Sequence, residues 1–195
     1  MMAKGFAQGE NVTDVMAAAK AGYAHYLQKI PVGHESRYGF NHRGEFELVK
    51  IGKPYQILNI TYDFFSDTTL VKSNYLFAIG EWRVPLSVNG EYRTLITISN
   101  MNGTLKVVGL GAAALAKELG VFEHLFPSPN PSGAILRVHQ LETDYFLSSL
   151  DFSSMDLKMY PLMMDHAGPI RKNTIPPHYT ISEILSMVKT FIKTR

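Results

Sequence analysis

The sequence predicts an α+β fold: an antiparallel β-sheet of about five to seven strands, with amphipathic N- and C-terminal helices packed on it. Two Asn-Gly pairs, Asn89-Gly90 and Asn102-Gly103, separate runs that are rich in β-forming residues. Such pairs favour two-residue type I′ turns, because both residues tolerate a positive φ. Apolar residues at helical spacing near each end predict the two helices. Hairpin-joined strands with helices outside them are typical of α+β proteins.

The first helix follows Asn11, a suitable N-cap, and ends before Pro31. Its apolar stripe consists of Val12, Val15, Met16, Ala19, Tyr23, Tyr26, Leu27 and Ile30. Residues 33–44 contain three glycines and follow neither the helical nor the strand period, so they predict a loop. The pattern that follows predicts two helical turns over 45–51 and then an alternating strand over 55–62.

The two Asn-Gly turns then predict a three-stranded meander. Its strands are residues 82–88, 91–101 and 104–109. Counting outward from each turn gives the cross-strand pairs Ser87–Tyr92, Ile98–Val107 and Ile96–Gly109. Because side chains alternate along a strand, one face of the meander is predicted to be apolar. That face is formed by Ile96, Ile98, Leu105 and Val107.

Beyond the meander, the pattern predicts one more internal helix, three short strands and a final helix. The internal helix covers 112–119 with Gly120 as its C-cap, and the strands cover 134–139, 145–150 and 157–162. The final helix has its apolar stripe over 181–192, and Thr180 with Glu183 predicts a capping box before it. We interpret residues 1–195 as a single domain, with a sub-boundary at the Pro-rich segment 127–133.

Composition excludes several classes of site. The 195 residues include no cysteine, which excludes disulfides, thiolate catalysis and iron–sulfur clusters. A net charge of +2 is too small to indicate a nucleic-acid partner, because phosphate binding needs clustered Lys and Arg. No run approaches the roughly 20 apolar residues of a membrane helix.

The residues most suited to metal binding are His34, Glu35 and His42, which lie in the 33–44 loop. Imidazole and carboxylate groups bind metals when they converge from fixed positions. The spacing does not match a known metalloenzyme motif, so an ordinary solvated loop is the stronger interpretation. A metal-dependent or hydrolytic enzyme that uses this loop, with His166 as a further member, is the alternative function. No catalytic residue and no cofactor are predicted.

Aromatic side chains suggest a different kind of site. Trp82 and Tyr92 lie in neighbouring predicted strands, and Tyr38 lies in the polar-aromatic loop. Aromatic rings line many ligand pockets, although rings in strands more often belong to the core. We therefore name Tyr38, Trp82 and Tyr92 as candidate ligand-binding residues.

Two stretches resemble uncharacterised exported bacterial proteins. They are Ile51-Gly-Lys-Pro-Tyr-Gln-Ile57 and Glu81-Trp-Arg-Val-Pro-Leu-Ser-Val-Asn-Gly90. The resemblance covers about residues 44–120 and implies a bacterial protein, with a periplasmic or secreted location favoured over the cytoplasm. It implies no known activity.

Together these observations predict a non-enzymatic module that binds a small molecule or a protein through its sheet face or the 33–44 loop. A homodimer is a further expectation, because the last helix is amphipathic and a sheet edge can pair with a second copy. No membrane span is expected.

Overall fold

A computed structural model describes residues 11–60, 76–127, 130, 132–148, 157–162 and 177–193, with side chains through residue 190. The helices are α1 (Val12–Gln28), α2 (Ala113–Leu125) and α3 (Ile181–Lys193), with the short 3-10 helices η1 (Glu35–Tyr38), η2 (Arg43–Leu48) and η3 (His139–Leu141). The strands are β1 (Lys50–Ile51), β2 (Tyr55–Ile60), β3 (Leu76–Val88), β4 (Glu91–Met101), β5 (Thr104–Gly111), β6 (Gly133–Val138), β7 (Thr143–Leu147) and β8 (Met159–Leu162).

All eight strands belong to one sheet. Its order is β5-β4-β3-β2-β6-β7-β8, and β1 pairs with the end of β3. Neighbouring strands are antiparallel except for β2 and β6, which are parallel. The fold therefore combines helices with a mostly antiparallel sheet, as the sequence predicted. The β2–β6 pair joins strands from both sides of the Pro-rich segment 127–133.

The meander forms with both predicted turns. Asn89, Gly90, Asn102 and Gly103 all have positive φ. The predicted pairs Ser87–Tyr92 and Ile98–Val107 are confirmed. The predicted pair Ile96–Gly109 is wrong, because Ile96 pairs with Leu110. Val108 is an extra residue in β5, and this β-bulge shifts the register by one.

The prediction for α2 is wrong at its end. The helix does not stop at Gly120 but continues to Leu125. A Cβ at Gly120 would lie 3.3 Å from Cδ2 of Tyr92, so the glycine allows the helix to approach this ring closely. The left-handed residue of this region is Ala112, with φ of 59°, directly before the helix. Gly120 was therefore mistaken in the sequence for a helix C-cap, whereas its role is to let α2 pack closely against Tyr92.

Other predicted elements form with shifted boundaries. Two helical turns were predicted over 45–51. The structure instead has the end of η2 there, followed by β1. The strand predicted over 55–62 is described to Ile60, and its last two residues lie outside the described part. Each of the three late strands begins within two residues of its predicted start, and positions 149–150 of the second predicted strand lie outside the described part. The N-cap at Asn11 is confirmed, since its side chain accepts a hydrogen bond from the Thr13 amide. The Thr180–Glu183 capping box is confirmed as well.

Alternation along the strands divides the core between the two sides of the sheet. One side, which we call the two-helix face, packs against α1 and α3. Its buried strand residues are Leu58, Ile60, Leu76, Trp82, Val84, Leu86, Val88, Ile96, Ile98, Val107, Ala134, Leu136, Val138, Tyr145, Leu147 and Met159. The other side, the one-helix face, packs against α2. Its buried strand residues are Tyr55, Ile57, Leu95, Ile135, Phe146, Tyr160 and Leu162.

Candidate functional site

A cavity of about 480 Å³ lies on the one-helix face, between α2 and the first residues of β4. Its lining residues are Gly90, Glu91, Tyr92, Arg93, Lys117, Gly120, Val121 and His124. The strand residues form one wall, which we call the strand wall, and the α2 residues form the opposite helix wall. Volumes of about 300–1,000 Å³ are typical of small-molecule sites, so the cavity has the size of a ligand pocket.

A β-bulge places Tyr92 on this side of the sheet. Leu86 pairs with Thr94 and Ser87 pairs with Tyr92, so Arg93 is an extra residue in β4. Without the bulge, the alternation from Ile96 and Thr94 would direct Tyr92 to the two-helix face. The aromatic wall of the cavity therefore depends on this one irregular position.

The Tyr92 ring is tightly held. A Cβ at Gly52 would lie 2.9 Å from Cε1 of this ring, and one at Gly120 would lie 3.3 Å from Cδ2. Both neighbouring segments thus approach the ring as closely as the absence of a side chain allows. The Tyr92 hydroxyl donates a hydrogen bond to Oε2 of Glu123 in α2. The ring therefore has a defined position without a ligand.

Glu123 also accepts a hydrogen bond from the Tyr55 hydroxyl, at 3.2 Å. Burial raises the pKa of both tyrosines, and the nearby Glu123 carboxylate raises it further. Both hydroxyls therefore stay protonated and act as donors. Burial lowers the pKa of Lys53, although the same carboxylate opposes that shift. The hydrogen bonds of Glu123 therefore join α2 to β2 and β4.

The strand wall contains a chain of charged side chains. Arg93 donates one hydrogen bond to exposed Glu91 at 3.0 Å and one to buried Glu45 at 3.2 Å. Glu45 also accepts from the amide and the side chain of Asn41, both at 2.8 Å. Burial opposes ionisation of Glu45, but these hydrogen bonds and the Arg93 charge outweigh it, so the pKa of Glu45 lies below its ordinary value. Arg93 is thus held between two carboxylates.

The helix wall carries basic side chains. Lys117, Val121 and His124 follow the i, i+4, i+7 spacing of one side of α2. Lys117 and His124 are exposed, whereas Val121 is half-buried between them. The two walls therefore differ in charge: the helix wall is basic, whereas on the strand wall the charge of Arg93 is shared between Glu91 and buried Glu45, which lies outside the lining.

The structure separates the three candidate ligand-binding residues. Tyr92 lines the cavity, whereas Trp82 is 3% exposed in the core of the two-helix face. Tyr38 is half-buried beside the same core. A ligand at Tyr92 therefore cannot contact Trp82, because the sheet lies between them. The binding role of Tyr38 and Trp82 stays a prediction.

The candidate metal ligands lie in and beside the 3-10 helices of the loop. His34 precedes η1 and His42 precedes η2, and both are exposed. Glu35 is buried and forms an ion pair with Arg43 at 3.3 Å. Within the described ranges, no three His, Asp or Glu side chains are grouped to hold a metal ion. His166 lies outside those ranges, and metal binding by this loop stays a prediction.

Arg43 gives the loop a structural role. Its guanidinium donates hydrogen bonds to the carbonyl oxygens of Gln28 and Ile30, at 3.2 and 2.9 Å. These carbonyls follow the last turn of α1, where no helical donor remains for them. Arg43 and Glu35 therefore connect the loop to the end of α1.

A second polar cluster lies on the one-helix face, in the central strands. Arg137 binds Asp144 through two hydrogen bonds of 3.0 and 3.1 Å, and Arg83 forms an ion pair with Glu81 at 2.7 Å. Burial lowers the pKa of Arg83. Two positive and two negative groups balance in this cluster, and each has an opposite charge beside it. It therefore presents no unbalanced charge to a ligand.

Sequence reasoning did not identify Arg93, Lys117 or Glu123. Lys117 and His124 are seven residues apart, a spacing that places two residues on the same side of a helix. The sequence would have predicted this shared side if the helix had been expected to continue beyond Gly120. The position of Arg93 was not visible, because nothing local indicated the bulge. Comparison with protein-family models, with curated proteins and with solved structures found no match.

Among the described helices, none is both long and apolar enough to cross a membrane.

Proposed function

We propose that this chain is a non-enzymatic binding module of bacterial origin that holds a small molecule in the cavity between α2 and β4. The observation that carries the proposal is the fixed aromatic wall. Tyr92 is held by Gly52, Gly120 and Glu123 before any ligand arrives. A site whose groups are already ordered loses less conformational entropy on binding, so more of the contact energy appears as affinity.

The polar groups around the ring also support ligand binding. Lys117 and His124 are exposed at the cavity, and Glu91 is exposed on the opposite wall. Small-molecule sites combine an apolar or aromatic surface with a few polar groups that orient the ligand. This cavity has both within one surface.

The proposal is tested by filling the cavity from the helix wall. Val121→Phe adds a ring at a half-buried lining position, and Ala114→Phe adds the same ring at an exposed position of α2 outside the lining. A chemically diverse library of metabolites is screened by thermal shift against the unchanged protein and both variants. We expect ligands that raise the Tm of the unchanged protein and of Ala114→Phe, because bound ligand stabilises the folded state by mass action. The same ligands should not raise the Tm of Val121→Phe.

A library without any such ligand would contradict the proposal. So would ligands whose Tm shift persists in Val121→Phe, since these bind elsewhere. Circular dichroism of both variants shows whether each remains folded before the screen is interpreted. Should Val121→Phe fail to fold, Val121→Met provides a smaller filling side chain for the same comparison.

A further inference from the structure

The two walls of the cavity are complementary to a molecule that carries both signs of charge. On the strand wall, Arg93 forms one ion pair with Glu91, which also lines the cavity, and one with buried Glu45, which lies outside the lining. Together these three groups carry one excess negative charge, and the accessible carboxylate is that of Glu91, whose side chain is 69% exposed, against 7% for Glu45. On the helix wall, Lys117 supplies a positive charge, and His124 supplies a further hydrogen-bonding group.

We propose that the ligand is a small zwitterion of the amino-acid type, a deduction that rests on the proposed binding function. Its anionic group faces Lys117 and His124, its ammonium group faces Glu91, and its apolar side group lies against the Tyr92 ring.

The charge arrangement favours this class over a simple anion. Arg93 is poorly placed to receive an anion, because its side chain is only 13% exposed and its charge is already shared by two carboxylates, at 3.0 and 3.2 Å. An anion between the walls would also meet the excess negative charge at Glu91. A purely cationic ligand would meet Lys117 in the same way. A charge that leaves water is costly unless a partner of opposite sign receives it, and only a zwitterion satisfies both walls.

Size and surface agree with a ligand of this kind. The volume of about 480 Å³ accommodates an amino acid with a large side chain. Tyr92 lines the cavity, and the position of its ring is fixed by Gly52 and Gly120. Aromatic pairs gain about 0.5–1.5 kcal/mol beyond the burial of their area, so an aromatic side group is a suitable probe.

Three probes with one ring and different charges test the inference by isothermal titration calorimetry. At about pH 6, L-phenylalanine is a zwitterion, N-acetyl-L-phenylalanine is an anion, and L-phenylalaninamide is a cation. We expect L-phenylalanine to bind at least about 10-fold more tightly than either of the others, because each of those lacks one charge-assisted contact. Equal or tighter binding of the acetylated or amidated probe would overturn the zwitterion inference while leaving cavity binding intact.

Substitutions on each wall test whether Lys117 binds the carboxylate of the ligand and whether Glu91 binds its ammonium group. Lys117→Met should weaken L-phenylalanine binding by about 10- to 100-fold, whereas Lys20→Met, at an exposed position of α1, should not change it. Glu91→Gln should weaken it similarly and should strengthen binding of the acetylated probe, because Arg93 then loses one carboxylate. The control is Glu47→Gln, an exposed glutamate of η2.

Unchanged affinity in both wall variants would overturn the inference. So would the absence of binding by all three probes, and the library screen with Val121→Phe then decides separately whether the cavity binds another class of molecule.

Discussion

The two faces of the sheet differ in what they bury. The two-helix face is covered by α1 and α3 and has a mainly apolar surface, in which Trp82, Val84 and Ile98 are at most 3% exposed. The one-helix face has an apolar centre below α2 and, around it, the charged groups and the cavity. One strand can contribute to both faces because its successive side chains point to opposite sides of the sheet. One face is therefore almost wholly apolar core, whereas the other combines a smaller apolar core with charged groups and a cavity.

The largest expected effect is on the two-helix face. Trp82→Ala removes a large side chain from the core, and substitutions of this kind cost about 3–5 kcal/mol of unfolding free energy. Urea denaturation measures the loss. Phe77→Ala is the matched control, because Phe77 lies in the same strand and is 39% exposed; it should cost about 1 kcal/mol or less. A small effect at Trp82 would show that this face does not dominate stability.

The second effect concerns the strand wall. Glu45→Ala leaves Arg93, whose side chain is 13% exposed, without its buried partner, and we expect a loss of about 2–3 kcal/mol at pH 7. Because the pKa of Glu45 is lowered by folding, its contribution is present above the ordinary value of 4.5 and is lost as the pH falls through the folded value. Urea denaturation at pH 7 and pH 4 should therefore show a smaller difference at pH 4. Exposed Glu47→Ala provides the control, and an equal loss in that variant would contradict the role of the Arg93 contact.

The smallest expected effect is an increase in the free energy of unfolding, whereas the two preceding substitutions lower it. Burial raises the pKa of Glu118, in α2, to about 7, and one carboxylate oxygen is buried without a hydrogen bond in the structure. Folding then favours the protonated acid, so this contribution is fully present below pH 4.5 and is lost as the pH rises to about 7. Since the side chain is partly exposed to solvent, we expect Glu118→Gln to stabilise the protein by only about 1 kcal/mol at pH 8.

Thermal unfolding of Glu118→Gln at pH 8 and pH 4 measures this difference, which should disappear at the lower pH. A stabilisation that is the same at both pH values would show that burial of the charge is not its cause. Glu47→Gln, at an exposed position, should change stability at neither pH.

The parts of the fold that depend on neighbouring residues were predictable. Asn89-Gly90 and Asn102-Gly103 formed the expected turns, because a positive φ at both positions is a local property of those residues. The parallel contact between β2 and β6 was not predicted, since no local pattern specifies which distant strand lies beside β2. The bulges at Arg93 and Val108 were missed for a similar reason: the alternation of apolar residues does not show where one residue is left unpaired.

The candidate site was predicted only at Tyr92. Trp82 had the same aromatic character, but its strand position directs it to the opposite face, among apolar neighbours. Glu35 resembled a metal ligand, yet its carboxylate contacts Arg43 near the end of α1. Residue type indicated the possible chemistry in each case, whereas the partner that each side chain meets depended on tertiary structure.

The bulge in β5 lies at an open edge of the sheet, where a strand from a second molecule could pair. In the described part of the chain, β5 is the outermost strand on its side of the sheet. An incoming strand from a second molecule would need a regular row of backbone donors and acceptors, which the extra residue Val108 interrupts. It would also approach the exposed charge of Lys106. Both features are known to discourage edge-to-edge aggregation, so the irregularity that altered the register also protects the open side of the sheet.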